Sequence, residues 1–294
     1  MRNMDEKIKV GVIGLGAMGA PMARHLSGAG LLHMVWNRTN FKSEALAEET
    51  GILAADTPLR LAAGCNVILI CVSADTDLID VVDQVLPGVS RGSVIVDTST
   101  VSPATARQVS SSLLEAGCGF VDAPVSGGVE GAQKGTLSVM AGGDPANISR
   151  IMPVLEAISA TVTHMGAVGC GQATKAVNQV MIAGIAEAVC EALALAEKLN
   201  LPSERLLSIV RAGAAGSWFL EHRGQTMLEN SFDVGFKLSL LLKDLLICQD
   251  LAQELDISMP TVESAIKDYR DLVELGDGDH DISGLIRLKR GLDG

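Results

Sequence analysis

The chain has 294 residues, 48% of them hydrophobic and 20% charged, with a formal net charge of −12. This excludes a disordered chain and gives enough length for two medium domains. The acidic balance argues against nucleic-acid or acidic-membrane partners and leaves a small molecule as the expected ligand. Six scattered cysteines without a CxxC pair read as reduced thiols; the start MRNMDEKIKVGVIGLGAMGA superficially resembles a signal peptide, but the glycine fingerprint falls inside its apolar stretch and Asp5 and Glu6 precede it, so a cytoplasmic protein is expected. No membrane span is expected, because Glu187 and Glu191 interrupt the best apolar run.

The first predicted elements are a strand, IKVGVIG, and a helix, APMARHLSGAG, joined by Gly14-x-Gly16-x-x-Gly19. In such a unit the first glycine permits the turn, the second lets the chain approach a pyrophosphate, and the third lets helix and strand pack closely. Gly14, Leu15, Gly16, Ala17, Met18 and Gly19 are therefore candidate dinucleotide-binding residues, with amides aimed at an anion. The second strand, HMVWN, ends at Asn37 and is followed by Arg38 and Thr39, where an NAD binder carries a carboxylate; the next one is Glu44. An arginine grips a 2′-phosphate that a carboxylate would repel, so Asn37, Arg38 and Thr39 predict NADP(H) in preference to NAD(H).

Strand runs continue as NVILICV, SVIVDTS, GFVDAPV, TLSVMAGG and TVTHMG, alternating with helical stretches. This predicts an α/β domain over residues 1–166, a mostly parallel sheet covered by helices on both faces. After GAVGCGQ the pattern changes. Residues 171–200 read as one long helix stopped by Asn200 and Pro202, and further helices are expected at about 203–213, 217–230, 236–256 and 260–275, giving an all-helical domain over 167–294. The stretch VMIAGIAEAV is apolar on nearly every face, which predicts packing against a second subunit, as a homodimer or homotetramer.

Three segments carry candidate chemistry. Ser126, Gly127 and Gly128 follow a predicted strand; two adjacent glycine amides and a hydroxyl suit a carboxylate, a plain turn being the alternative. In GCGQATKAVNQ, Lys175, Asn178 and Gln179 have i, i+3 and i+4 spacing and share one helix face. The helix dipole and burial both push the lysine pKa down toward a range useful for proton exchange with a substrate oxygen; snorkelling to the surface is the alternative. Lys243 and Asp244, inside an apolar helix, either form a partly buried pair or reach a ligand. No metal is expected: the five histidines form no ligand pattern, and DGDHD at 277–281 lacks the glycine and glutamate of a calcium loop, having Ile282 and Leu288 there.

GLGAMGAPMARHL, DTSTVSP, DAPVSGGVEGAQKGTLSVMAGG, GCGQATKAVNQ and LLLKDL occur in an order and spacing that resembles the β-hydroxyacid dehydrogenase family, which includes 3-hydroxyisobutyrate dehydrogenase, tartronate semialdehyde reductase and the glyoxylate or succinic semialdehyde reductases. The resemblance implies a Rossmann domain, a helical domain, and a site in the cleft between them. It makes Lys175 the catalytic acid/base and Ser126, Gly127 and Gly128 the carboxylate loop. Val72, Ser73 and Thr100 then lie along the cofactor, and Lys243 at its nicotinamide end. Many members have Asn where this chain has Gln179, which leaves open whether Asn178 or Gln179 orients the substrate; many also have Leu-Pro where this chain has Val72-Ser73. The implied activity is interconversion of a short aldehyde or keto acid with its hydroxy acid. A non-catalytic cofactor-sensing module and an imine reductase are the alternatives, and the presence of Lys175 argues against both.

Overall fold

The computed structural model describes residues 7–233 and 235–291. The chain divides between Lys175 and Ala176 into two compact units. In chain order the first contains β1 Val10–Ile13, α1 Gly19–Gly28, β2 Leu32–Trp36, α2 Asn40–Thr50, β3 Leu53–Ala54, α3 Pro58–Gly64, β4 Val67–Ile70 and α4 Asp75–Val85. It continues with β5 Val94–Asp97, α5 Pro103–Glu115, β6 Gly119–Asp122, β7 Val125–Ser126, α6 Gly128–Lys134, β8 Leu137–Gly143, α7 Pro145–Glu156 and β9 Ser159–Gly166.

Among the described residues these strands form one sheet in the order β3-β2-β1-β4-β5-β6-β8-β7, with β9 paired to β8. Pairing is parallel from β3 across to β6 and between β8 and β9, and antiparallel where β8 meets β6 and β7. The expected mostly parallel sheet is present. β1, β4 and β5 at its centre are buried at every position because both faces are covered: Val67 and Leu69 of β4 join the core on one face, Ile68 and Ile70 the core on the other. One expected strand, GFVDAPV, is broken. β6 stops at Asp122 and pairing resumes at Val125, because Pro124 has no N–H to give to a ladder. Three helices begin in the same way, with Thr57, Ser102 or Asp144 accepting a first-turn amide and proline as the next residue.

The strand order reverses between β1 and β4. In open α/β sheets the crevice at the carboxyl ends of the strands flanking such a reversal is where ligands bind. The glycine turn follows β1 and Val72-Ser73 follows β4, so both lie at that point.

The second unit is built from α8 Cys170–Lys198, α9 Ser203–Arg211, α10 Trp218–Leu228, α11 Leu238–Glu254, α12 Pro260–Glu274, a 3-10 turn at Ile282–Leu285, and α13 Ile286–Lys289. Its core joins Ala183, Ala186, Cys190 and Leu193 of α8 to Leu241 and Leu245 of α11 and to Ile266 and Tyr269 of α12. Val177, Met181 and Leu195 of α8 lie outside that core and are exposed. At 29 residues α8 is long and apolar enough to cross a membrane by length and composition, contrary to the expectation drawn from Glu187 and Glu191. Glu187 and Glu191 do not remove the hydropathy of the rest, and in this structure one stripe of the helix is the core of the unit. The division between units falls inside α8, later than the expected 166–167, because the first turn of α8 is bonded to β6: the amides of Gly169 and Gln172 both donate to Asp122.

Candidate functional site

The glycine turn shows three different reasons for glycine. Gly14 has φ +94°, and a Cβ there would lie 2.1 Å from the carbonyl oxygen of Cys71; a Cβ at Gly19 would lie 1.9 Å from that of Gly14. These two are required by packing. A Cβ at Gly16 would meet no protein atom within 4 Å, so its bareness leaves open space above the turn. Leu15 N donates to Asn37 Oδ1 at 2.8 Å, and Asn37 Nδ2 donates to the carbonyl of Thr39 at 3.1 Å. Asn37 thus ties the end of β2 to the turn. The amides of Gly16, Ala17 and Met18 come just before and at the cap of α1, where a helix leaves N–H groups without acceptors of its own. Open space over Gly16 beside such amides fits a dinucleotide pyrophosphate. Arg38 is exposed, its side chain 84% accessible, with Nη1 3.1 Å from Asp77 Oδ1 of α4.

The loops after β4 and β5 are joined to each other. Val72 N donates to Ser99 Oγ at 2.8 Å, Ser99 N donates to Asp97 Oδ1 at 3.0 Å, and Thr98 Oγ1 donates to the Ile70 carbonyl. Ser73 is exposed and Thr100 half-buried on these loops. Gln172 of α8 then holds the second loop: its Nε2 donates to the Ser99 carbonyl at 2.8 Å and its Oε1 accepts from Val101 N at 3.2 Å. Here the structure brings together residues that the sequence placed far apart.

Lys175, in the second turn of α8, is 7% exposed. Its Nζ donates to the carbonyl of Val125 at 2.9 Å, one residue before Ser126. The amine therefore does not snorkel to solvent. Gly127 and Gly128 have φ of +131° and +63°, a conformation L side chains rarely adopt, and they open α6. The expected carboxylate loop and the expected acid/base are thus joined by a hydrogen bond within one unit.

Asn178, Gln179 and Lys243 belong to the second unit. Asn178 Nδ2 donates to Gln179 Oε1 at 2.9 Å, and Gln179 Nε2 donates to Asp244 Oδ2 at 2.7 Å. Lys243 Nζ lies 2.7 Å from Asp244 Oδ1. Lys243 and Asp244 thus form a partly buried pair. Gln179 is fully buried with both ends of its amide engaged, whereas Asn178 is half-buried.

Three residues escape the sequence pattern: Asp97, Asp122 and Gln172. Each of the two aspartates interrupts an apolar run at a strand end, and that was the available signal. Burial pushes the Asp122 carboxyl up to about 6, while the amides of Gly169 and Gln172 act in the other direction. Near the expected calcium-like stretch, Asp277 pairs with His280 and Arg287, and Asp281 accepts from Ser283 and Phe236; among the described residues no group of three or more His, Cys, Asp or Glu is placed to hold a metal.

A parallel sheet with a glycine turn at its switch point, joined to a helical unit, defines the class of two-domain dinucleotide-binding oxidoreductases. Residues 9–166 match the model of the NAD-binding domain of 6-phosphogluconate dehydrogenase, and residues 169–289 match that described as NAD-binding of NADP-dependent 3-hydroxyisobutyrate dehydrogenase. The chain is 34% identical over 287 residues to 2-hydroxy-3-oxopropionate reductase of Escherichia coli, covering 95% of this chain and 96% of that one. It is 35% identical over 275 residues to a probable 3-hydroxyisobutyrate dehydrogenase-like protein of Arabidopsis thaliana, covering 92% and 82%. The solved structure of Mycobacterium tuberculosis 3-hydroxyisobutyrate dehydrogenase with L-serine superposes with a TM-score of 0.87 at 29% identity, covering 97% and 100%. The chain belongs to the β-hydroxyacid dehydrogenase family, and it is an oxidoreductase with NAD(P)-binding domains.

Proposed function

We propose that this enzyme uses NADP(H) to interconvert a short aldehyde or keto carboxylic acid and the corresponding hydroxy acid, with Lys175 as general acid/base. The observation that carries the reading is the buried Lys175 amine, hydrogen-bonded to the strand that leads into Ser126, Gly127 and Gly128. When bound, the nicotinamide supplies the hydride for reduction or takes it up in oxidation. The residues that would hold the dinucleotide are Gly14 to Gly19, Asn37 to Thr39, Val72, Ser73, Thr100 and Lys243.

Lys175, as ammonium, gives a proton to the substrate oxygen as the carbonyl is reduced; in the reverse direction the neutral amine takes the hydroxyl proton. The Ser126 hydroxyl and the amides of Gly127 and Gly128 hold the substrate carboxylate, an orientation effect worth several kcal/mol. Asn178 is the amide of α8 that meets the substrate, since Gln179 is already engaged at both ends. A small carboxylate agrees with the names of two relatives, one a reductase of 2-hydroxy-3-oxopropionate and the other seen with L-serine. Arg38 and the NADP-dependent description of the second family model support the phosphorylated cofactor. The exposed apolar Val177, Met181, Leu195 and Ile209 of the second unit support a homodimer or homotetramer.

The test is Lys175→Ala, assayed with NADPH across succinic semialdehyde, glyoxylate, tartronate semialdehyde and methylmalonate semialdehyde. The wild type reduces at least one of them. The variant loses kcat by roughly a hundredfold or more while its NADPH Kd stays put. Undiminished turnover in the variant rejects the role of the lysine; no turnover by the wild type on any of the four rejects the substrate class.

A further inference from the structure

We infer that Asp122 is a positioning residue for Lys175, setting the amine through the first turn of α8 without touching it. The inference rests on the role proposed above for Lys175.

Asp122 closes β6 and is completely buried. Its Oδ1 accepts from Gly169 N at 2.8 Å and its Oδ2 from Gln172 N at 2.9 Å, so the two oxygens hold the two ends of the first turn of α8. From there two short arms run in parallel. Three residues beyond Asp122 the strand side presents the Val125 carbonyl, and three residues beyond Gln172 the helix side presents the Lys175 amine, the two meeting at 2.9 Å. The result is a closed ring with hydrogen bonds at both ends. Slipping α8 by one residue turns a side chain about 100° around its axis, which would take the amine off the carbonyl. The carboxylate resists that slip because both of its acceptors are committed to fixed amides.

The backbone around the carboxylate is shaped for this approach. A Cβ at Gly142 would lie 2.5 Å from Asp122 Oδ1, and a Cβ at Gly171 would lie 2.8 Å from Oδ2 and 2.3 Å from the Met140 carbonyl. Glycine at 142 and 171 is what lets the helix turn descend onto the acid. The side chain of Gln172 extends the hold to the loop after β5, through Ser99 and Val101, so the same turn also sets the helix against the loop that carries Thr100. Two amide donors facing one side chain require two acceptor oxygens. A carboxylate has them, whereas an asparagine would turn its NH2 toward one of the amides.

The experiment is a double-mutant cycle on the full-length enzyme, crossing Asp122→Asn with Lys175→Ala. With Lys175 present, D122N is expected to lower kcat roughly tenfold and to displace the basic limb of the kcat–pH profile, with NADPH Kd changed by less than about twofold. In the K175A background the same change is expected to alter residual turnover by less than about twofold. Should D122N not fold, D122E takes its place in the cycle, because it keeps both acceptors and moves them by one methylene. An equal fold-loss in both backgrounds overturns the inference, as does an unmoved kcat and pH profile in D122N when K175A is inactive. Failure of the Lys175 reading is distinguishable, since it would show as K175A turning over like the wild type.

Discussion

Gln179 and Asp244 are joined by a 2.7 Å hydrogen bond between two fully or almost fully buried side chains, one on α8 and one on α11, 65 residues apart in the chain. The carboxylate shares its other oxygen with Lys243. Gln179→Leu removes the amide from a buried charge and releases Asn178 from its partner. The expected result is a loss of about 1–3 kcal/mol in urea unfolding together with a raised KM for the aldehyde substrate. An unchanged unfolding midpoint would show that the bond contributes nothing.

The glycines of the first turn separate packing from ligand approach. Gly14→Ala places a Cβ against the Cys71 carbonyl at a positive φ, so thermal unfolding should report a large destabilisation. Gly16→Ala meets no protein atom, so its Tm should stay near that of the wild type while NADPH affinity, followed by fluorescence titration, falls.

Arg38 stands exposed after β2, in contact with Asp77. If it carries the cofactor preference, Arg38→Ala raises the Kd for NADPH by roughly tenfold to a hundredfold, the value of a charge-assisted contact, and leaves the Kd for NADH as it was. Equal losses for both cofactors would remove the arginine from the specificity determinants.

Stability should depend on pH through Asp122. Burial lifts this carboxyl from an ordinary value of 3.8 to about 6, so the folded state holds the proton more tightly than the unfolded chain does. Its contribution to stability is therefore complete below about pH 4 and lost as the pH rises through about 6, on the order of 3 kcal/mol. Urea unfolding at several pH values across that window should show a steeper fall for the wild type than for D122N.

Lys289 of α13 fastens the end of the helical unit to its core, with Nζ 2.5 Å from Glu187 Oε2 and 2.6 Å from Asp268 Oδ2. Burial raises the Glu187 carboxyl and the lysine opposes that effect. Lys289→Met leaves two acids facing each other without a cation and should cost about 3–5 kcal/mol in unfolding free energy, more at pH 8 than at pH 5; adding Glu187→Leu should recover part of it.

Much of the architecture was legible because it is written in local patterns. Apolar runs four to seven residues long marked the main strands, glycine spacing marked the turn after β1, and Asn200 with Pro202 marked the end of the long helix. β3 and β7, at two residues each, are too short to carry a period, and Pro124 split a run that looked continuous. At the candidate site, Lys175 stood out as a charge on an apolar helix face. Asp122 and Gln172 did not, because nothing adjacent to either shows that the acid receives the amides of a helix 47 and 50 residues away.

By itself the sequence determined the kinds of element, their order, and the chemistry available: a turn able to take a pyrophosphate, a lysine inside an apolar surface, paired glycines after a strand. The tertiary structure alone decided which polar atoms meet, turning Lys175 onto the Val125 carbonyl, engaging Gln179 with Asp244, and settling α8 on Asp122. The physical reason is range. Strand and helix periods arise from residues a few positions apart, whereas a hydrogen bond between buried groups depends on crossovers and registers established only when the whole sheet and helical core have packed.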